Sequence, residues 1–158
     1  GYIEGVKVIL VKPQTFMNLS GEAVRDAAEF YKIKPENIIV IFDDISLEPG
    51  KVRIRRKGSD GGQKGMRSIV QLSGSDQFPR IRLGVGKKPH PDYELADWVL
   101  GHYIGEEQEV ADKAFALAAD AIVDYIQNGI DSAMRTYNTK KEKKKKTEEP
   151  KPEEGAAE

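Results

Sequence analysis

The chain has 158 residues and a mass of 17.6 kDa, enough for one domain with a buried core. Hydrophobic residues make up 39% and charged residues 32%, and a net charge of −1 argues against a simple basic nucleic-acid binder. The absence of Cys excludes a disulfide framework, a thiolate metal site and a cysteine nucleophile; no apolar run reaches membrane-spanning length and none reads as a signal peptide, so a soluble cytoplasmic chain is expected.

In chain order, Tyr2 to Val11 reads as a strand broken by Lys12-Pro13. Ser20 is placed as the N-cap of a helix running to Lys32, with Val24, Ala27, Ala28 and Tyr31 on one face. Ile38 to Phe42 is an unbroken apolar run, as in a buried central strand, and residues 51–56 alternate Val and Ile with Arg. A glycine-rich stretch, Gly58 to Gly65, precedes a helix over Met66 to Leu72 and a strand over Phe78 to Val85. Glu106 to Gln127 is an amphipathic helix with acids in its first turn and Gly129 as its C-cap, and a short helix follows over Ile130 to Tyr137. Strands alternating with helices predict an α/β sandwich whose mixed, largely parallel sheet is flanked by helices. Residues 1–137 form that domain. The Lys- and Glu-rich segment 138–158 has nothing apolar to anchor it and is expected to be a disordered tail.

Charge is distributed unevenly behind its near-zero sum. Residues 51–88 hold 11 basic side chains against Asp60 and Asp76, a local +9, whereas residues 89–137 hold Lys113 and Arg135 against ten acids, a local −8.

Four features bear on chemistry. Thr15, Asn18 and Ser20 follow a strand, where open α/β sheets place ligand sites, although turn and capping chemistry is the preferred account from spacing alone. Asp43-Asp44 at a strand end suits Mg²⁺ binding, orientation of a general base, or capping of loop N–H groups; no third ligand lies near in sequence, which counts against the metal. The glycines of 58–65 let the backbone approach an anion ahead of a helix N-terminus, but the spacing matches neither a Walker loop nor a dinucleotide fingerprint. With basic side chains on both sides, contact with a nucleic-acid backbone fits better than nucleotide binding. Finally, Arg53 and Arg55 share one face of their strand, and Arg80 and Arg82 share one face of theirs. Were the strands paired, four guanidiniums would face phosphate oxygens; the competing account pairs that face with the acidic helical region. Interleaved exposed aromatics are lacking, so backbone contact is favoured over base stacking.

The strings Lys-Pro-Gln-Thr-Phe-Met-Asn-Leu-Ser-Gly (12–21), Asp-Asp-Ile-Ser-Leu-Glu-Pro-Gly (43–50), Gly-Ser-Asp-Gly-Gly-Gln-Lys-Gly-Met-Arg-Ser-Ile (58–69) and Phe-Pro-Arg-Ile-Arg-Leu-Gly-Val-Gly (78–86), in this order, resemble the bacterial-type peptidyl-tRNA hydrolase family. The resemblance covers most of residues 2–137. It implies a small, monomeric, cofactor-free and metal-free esterase that frees tRNA from stalled peptides during translation. Water must then attack an ester carbonyl, which calls for a general base and for donors at the developing oxyanion. In the family a His is the base. The resemblance implies that Asp43 orients it, that Asn18 and Met17 hold substrate, and that Arg55 and Arg82, with neighbouring Arg53, grip tRNA phosphate.

Two departures from the family pattern follow. Its opening strand, Gly-Asn-Pro-Gly-type turn and Thr-Arg-His-Asn-like string are not in these residues, and the start at Gly1 carries no Met. The expectation is therefore the larger C-terminal part of a longer protein, an incomplete form without its general-base His. His90, between two prolines, and His102 are read as surface or packing residues. In addition, Gln63-Lys64 stands where the common pattern has His-Asn. Lys64 can donate to a substrate carbonyl or phosphate but cannot accept as an amide does. The alternative function is a non-catalytic RNA-binding protein of the same fold, as in plant organelle splicing factors.

Overall fold

The structure, a computed structural model, describes residues 1–138. The chain opens on a hairpin of β1 (Tyr2–Ile3) and β2 (Val6–Lys7), closed by Glu4 and Gly5 at φ 48° and 78°. Two successive positive φ values make the two-residue loop whose twist suits an antiparallel pair. Gly1 and Val8 extend the ladder with reciprocal bonds of 2.9 Å. The strand expected from Tyr2 to Val11 is thus two short strands, followed by extended chain to a 3₁₀ turn at Met17–Leu19. A second correction concerns Ser20. It is the first residue of α1 (Ser20–Tyr31) rather than its N-cap, and its hydroxyl donates backwards to the Met17 carbonyl at 2.8 Å.

The remaining elements are β3 (Val40–Asp44), β4 (Val52–Arg55), α2 (Lys64–Ser73), β5 (Arg80–Gly84), α3 (Leu95–Leu100), α4 (Glu106–Asn128) and α5 (Ile130–Tyr137). β5 is the middle strand of the sheet, parallel to β3 and antiparallel to β4. The expected α/β sandwich with a mixed sheet is borne out; its two described strand pairs are one parallel and one antiparallel.

One face of the sheet presents Val52, Ile54 and Ile81, at most 3% exposed, to Ala114, Ala118 and Ala121 of α4 and Ala133 of α5. Alanines spaced four and three residues apart make one stripe along α4, small enough for the helix to lie close on the strands. Each fully buried Val or Ile contributes roughly 1.5–3 kcal/mol through area removed from water. The opposite face is divided. Over β3, Val40 and Phe42 pack with Met66 and Ile69 of α2, with Phe78, and with Val24 of α1. The two helices touch where α1 has no side chain: a Cβ on Gly21 would lie 2.3 Å from the Ser68 carbonyl oxygen, and the Gly21 N–H donates to Ser68 Oγ at 3.0 Å. Over β4 and β5 the same face carries arginines instead.

The outer edge of β4 is occupied by a side chain. Asn138 Oδ1 accepts from the Ile54 N–H at 2.6 Å and its Nδ2 donates to the Ile54 carbonyl at 3.4 Å, standing in for a neighbouring strand. Asn138, which the sequence reading placed at the start of the tail, is therefore tied to the body. The rest of that segment lies outside the described residues.

Candidate active site and phosphate-binding face

β3 ends in Asp43 and Asp44, and their carboxylates are shared between two neighbouring sites. Asp43 Oδ1 accepts from Gln63 Nε2 at 3.2 Å. Gln63 is the N-cap of α2, where its Oε1 accepts from the Met66 N–H at 2.8 Å, so the cap leaves its NH₂ group turned to Asp43 and to Met17 Sδ, 3.4 Å away. Gly65 allows this approach, because a Cβ there would meet Met17 Sδ at 2.7 Å and Gln63 Oε1 at 2.9 Å. The first, second and third motifs of the sequence thus converge on one cluster of Met17, Asp43 and Gln63. Asn18 lies beside Met17 in the exposed 3₁₀ turn, and its amide makes no hydrogen bond among the described residues. Lys64 opens α2 and is exposed.

Asp44 serves the second site. It forms an ion pair with Arg82 and accepts from the Ser46 hydroxyl and, at 2.7 Å, from the Ser46 N–H. Burial pushes its carboxyl up, but the Ser46 hydroxyl, Arg82 and the Ser46 N–H outweigh that and hold it below the usual carboxylate value. With this carboxylate committed to an arginine and a serine, the two aspartates act as separate groups and not as a paired site.

β4 and β5 pair with Arg53 opposite Arg82 and Arg55 opposite Arg80, so the four guanidiniums do come from one face. Their roles differ. Arg80 is 2% exposed and is spent on the protein itself, donating to the Ser59 carbonyl at 2.8 Å and the Asp76 carbonyl at 2.9 Å. Of the four guanidiniums expected to face phosphate oxygens, that of Arg80 is thus turned to the protein's own carbonyls. The acidic region does not neutralise the arginine face either, since α4 packs on the opposite side of the sheet. What remains is a cleft of about 180 Å³ lined by Arg55, Lys57, Arg80 and Arg82, with Phe42 and the backbone of the glycine-rich loop. Asp60 also lines it, but accepts from the Gly62 N–H and from Arg67, which keep it below its ordinary value. Burial lowers the pKa of Arg55, and repulsion from Arg53 and Arg82 lowers it further. The cleft therefore gathers positive charge that the protein leaves largely unbalanced, as an anion site does.

His90 sits in an exposed loop with its Nδ1 3.4 Å from Asp92, and no histidine is hydrogen-bonded to Asp43 among the described residues. Sequence reasoning missed two neighbours of the site. Gln63 was noted only as a departure, although a Gln just ahead of a helix is able to cap it. Tyr103, in the loop before α4, is close enough to Asp43 for its phenol to be raised by burial first and then by that carboxylate and Glu107; nothing local in the sequence signals this.

Residues 1–146 match the family described as peptidyl-tRNA hydrolase. The chain is 55% identical over 138 residues to the peptidyl-tRNA hydrolase of Caldanaerobacter subterraneus subsp. tengcongensis, covering 87% of this chain and 74% of the relative. It is 53% identical to that of a Thermoanaerobacter species, covering 87% and 73%. A crystal structure of a point mutant of peptidyl-tRNA hydrolase from Acinetobacter baumannii superimposes with a TM-score of 0.80 at 34% identity, over 87% of this chain and 69% of that one.

Proposed function

The chain belongs to the peptidyl-tRNA hydrolase family, and we propose on that premise that it serves hydrolysis of the ester between peptide and tRNA, with Asp43 as the carboxylate that orients the general base. The observation that carries this assignment is the division of labour at the end of β3. Asp43 faces the Met17–Gln63 cluster while Asp44, the next residue, holds Arg82 in the basic cleft. An ester placed against the first site would have its tRNA phosphates within reach of the second. Met17 and the free amide of Asn18 hold the substrate beside the ester, Lys64 donates to a carbonyl or phosphate, and Arg55, Arg82 and Arg53 grip the tRNA backbone.

In this scheme a neutral imidazole held by Asp43 takes a proton from the attacking water, and the carboxylate stabilises the imidazolium that forms. The hydroxyl of the terminal ribose leaves with a proton returned from that imidazolium. Non-catalytic RNA binding is not favoured, because the matched relatives are named as hydrolases.

The test uses the chain with a family-type opening segment, carrying the Thr-Arg-His-Asn string, ahead of Gly1, and times peptide release from peptidyl-tRNA. Asp43→Ala is expected to lower kcat by about 10²–10⁴-fold while leaving tRNA affinity in place. Asn18→Ala is expected to raise KM. Full activity in the Asp43 variant would overturn the assignment.

A further inference from the structure

Arg80 is a costly residue for the work it visibly does. The residue is 2% exposed, and among the described residues no carboxylate pairs with it at ion-pair distance. Its Nε is buried without a hydrogen-bond partner among the described residues, and its other two nitrogens donate to backbone carbonyls. Burial disfavours the cation, and the Asp76 carboxylate offsets this only through space, without a direct bond; a neutral donor could satisfy two carbonyls without that cost. Stacking on Phe78, with the guanidinium carbon 4.8 Å from the ring centre, recovers only part of the difference. Two features of its setting make the charge useful. Arg80 stands directly across the strand pair from Arg55 and forms part of the wall of the basic cleft. The two carbonyls it holds belong to Ser59, inside the glycine-rich loop, and Asp76, at the turn before β5.

We propose that Arg80 is a positioning residue for the phosphate grip: it fastens the glycine-rich loop against the start of β5, and its buried charge draws an RNA phosphate towards Arg55 and Arg82. The proposal rests on the reading of that cleft as the tRNA grip. Arg80 shapes the cleft from within its wall. It anchors Ser59, which lines the cleft beside Gly58 and Gly61. An ammonium at this position would keep the charge, yet it could not span two carbonyls in the fixed fork of a guanidinium.

The experiment uses the whole chain with deacylated tRNA as the probe and compares Arg80→Met, Arg80→Lys and Arg55→Ala. Binding is measured against salt concentration, and amide hydrogen exchange is followed at residues 58–62. Arg80→Met is expected to weaken tRNA binding about tenfold, to reduce the slope of log affinity against log salt by about one, and to speed exchange in the loop. Arg80→Lys is expected to speed the same exchange while keeping the slope. An Arg80→Met protein that stays folded with wild-type affinity, slope and loop exchange overturns the proposal. If that variant does not fold, Arg80→Lys decides: wild-type loop exchange overturns it and faster exchange supports it. Failure of the underlying reading looks different, since Arg55→Ala would then leave tRNA affinity unchanged.

Discussion

β4 and β5 run through the molecule with one backbone and two unlike faces. Val52, Ile54 and Ile81 face α4 and α5 and are sealed from water, whereas the residues between them, Arg53, Arg55, Arg80 and Arg82, place like charges opposite one another. The first face lowers the free energy of the folded chain. The second sets like charges directly across a strand pair, where they repel, and only Arg82 among them has a carboxylate, that of Asp44, at ion-pair distance among the described residues. A period of two residues thus separates the face that holds the fold together from the face proposed to hold a polyanion, whose binding would offset that repulsion.

That contrast can be broken from either side. Ile54→Ala removes a side chain that is 1% exposed and is expected to cost about 2–5 kcal/mol in denaturant unfolding, with tRNA affinity unaltered in the fraction that remains folded. A matching loss of affinity would mean that the faces are not independent. Replacing Arg55 and Arg82 together with Ala reverses the pattern: tRNA Kd rises at least ~10-fold and the salt slope falls by about two. In that pair Arg55→Ala alone leaves thermal stability level or higher, while loss of Arg82 strands Asp44, so calorimetry on the single variants separates repulsion relieved from an ion pair lost. An unchanged salt slope in the double variant would remove the phosphate assignment.

The smallest expected effect is acidic. The Asp44 carboxyl is held below the ordinary carboxylate value, so its contribution is complete above that value and drains away as pH falls through the lower folded one. Asp44→Asn should therefore flatten the acid side of the curve of unfolding free energy against pH. Parallel acid limbs in the two proteins would refute the role given to this pair.

Much of the architecture was legible because burial leaves a period. The α4 stripe of Ala114, Ala118 and Ala121 repeats with the turn of a helix, and Val52 and Ile54 repeat with the pleat of a strand. The Glu4-Gly5 turn escaped notice because apolar residues flank it on both sides and only its φ values mark it. Candidate site residues were legible where they sit in motifs, as Met17, Asn18 and Asp43 do. The partners they meet were not. Gln63 reaches Asp43 across 20 residues, Arg82 reaches Asp44 across 38, and Arg80 looks like its neighbour in sequence while being buried in space. Alternation tells which face a side chain takes; it does not tell how far that face is covered.

The Asn138 amide has a consequence for the edge on which it sits. Without it, the Ile54 N–H and carbonyl would be left without these two partners at the edge of β4. One side-chain amide makes both bonds of a strand partner at Ile54, so at that residue the edge of β4 is already paired within the chain.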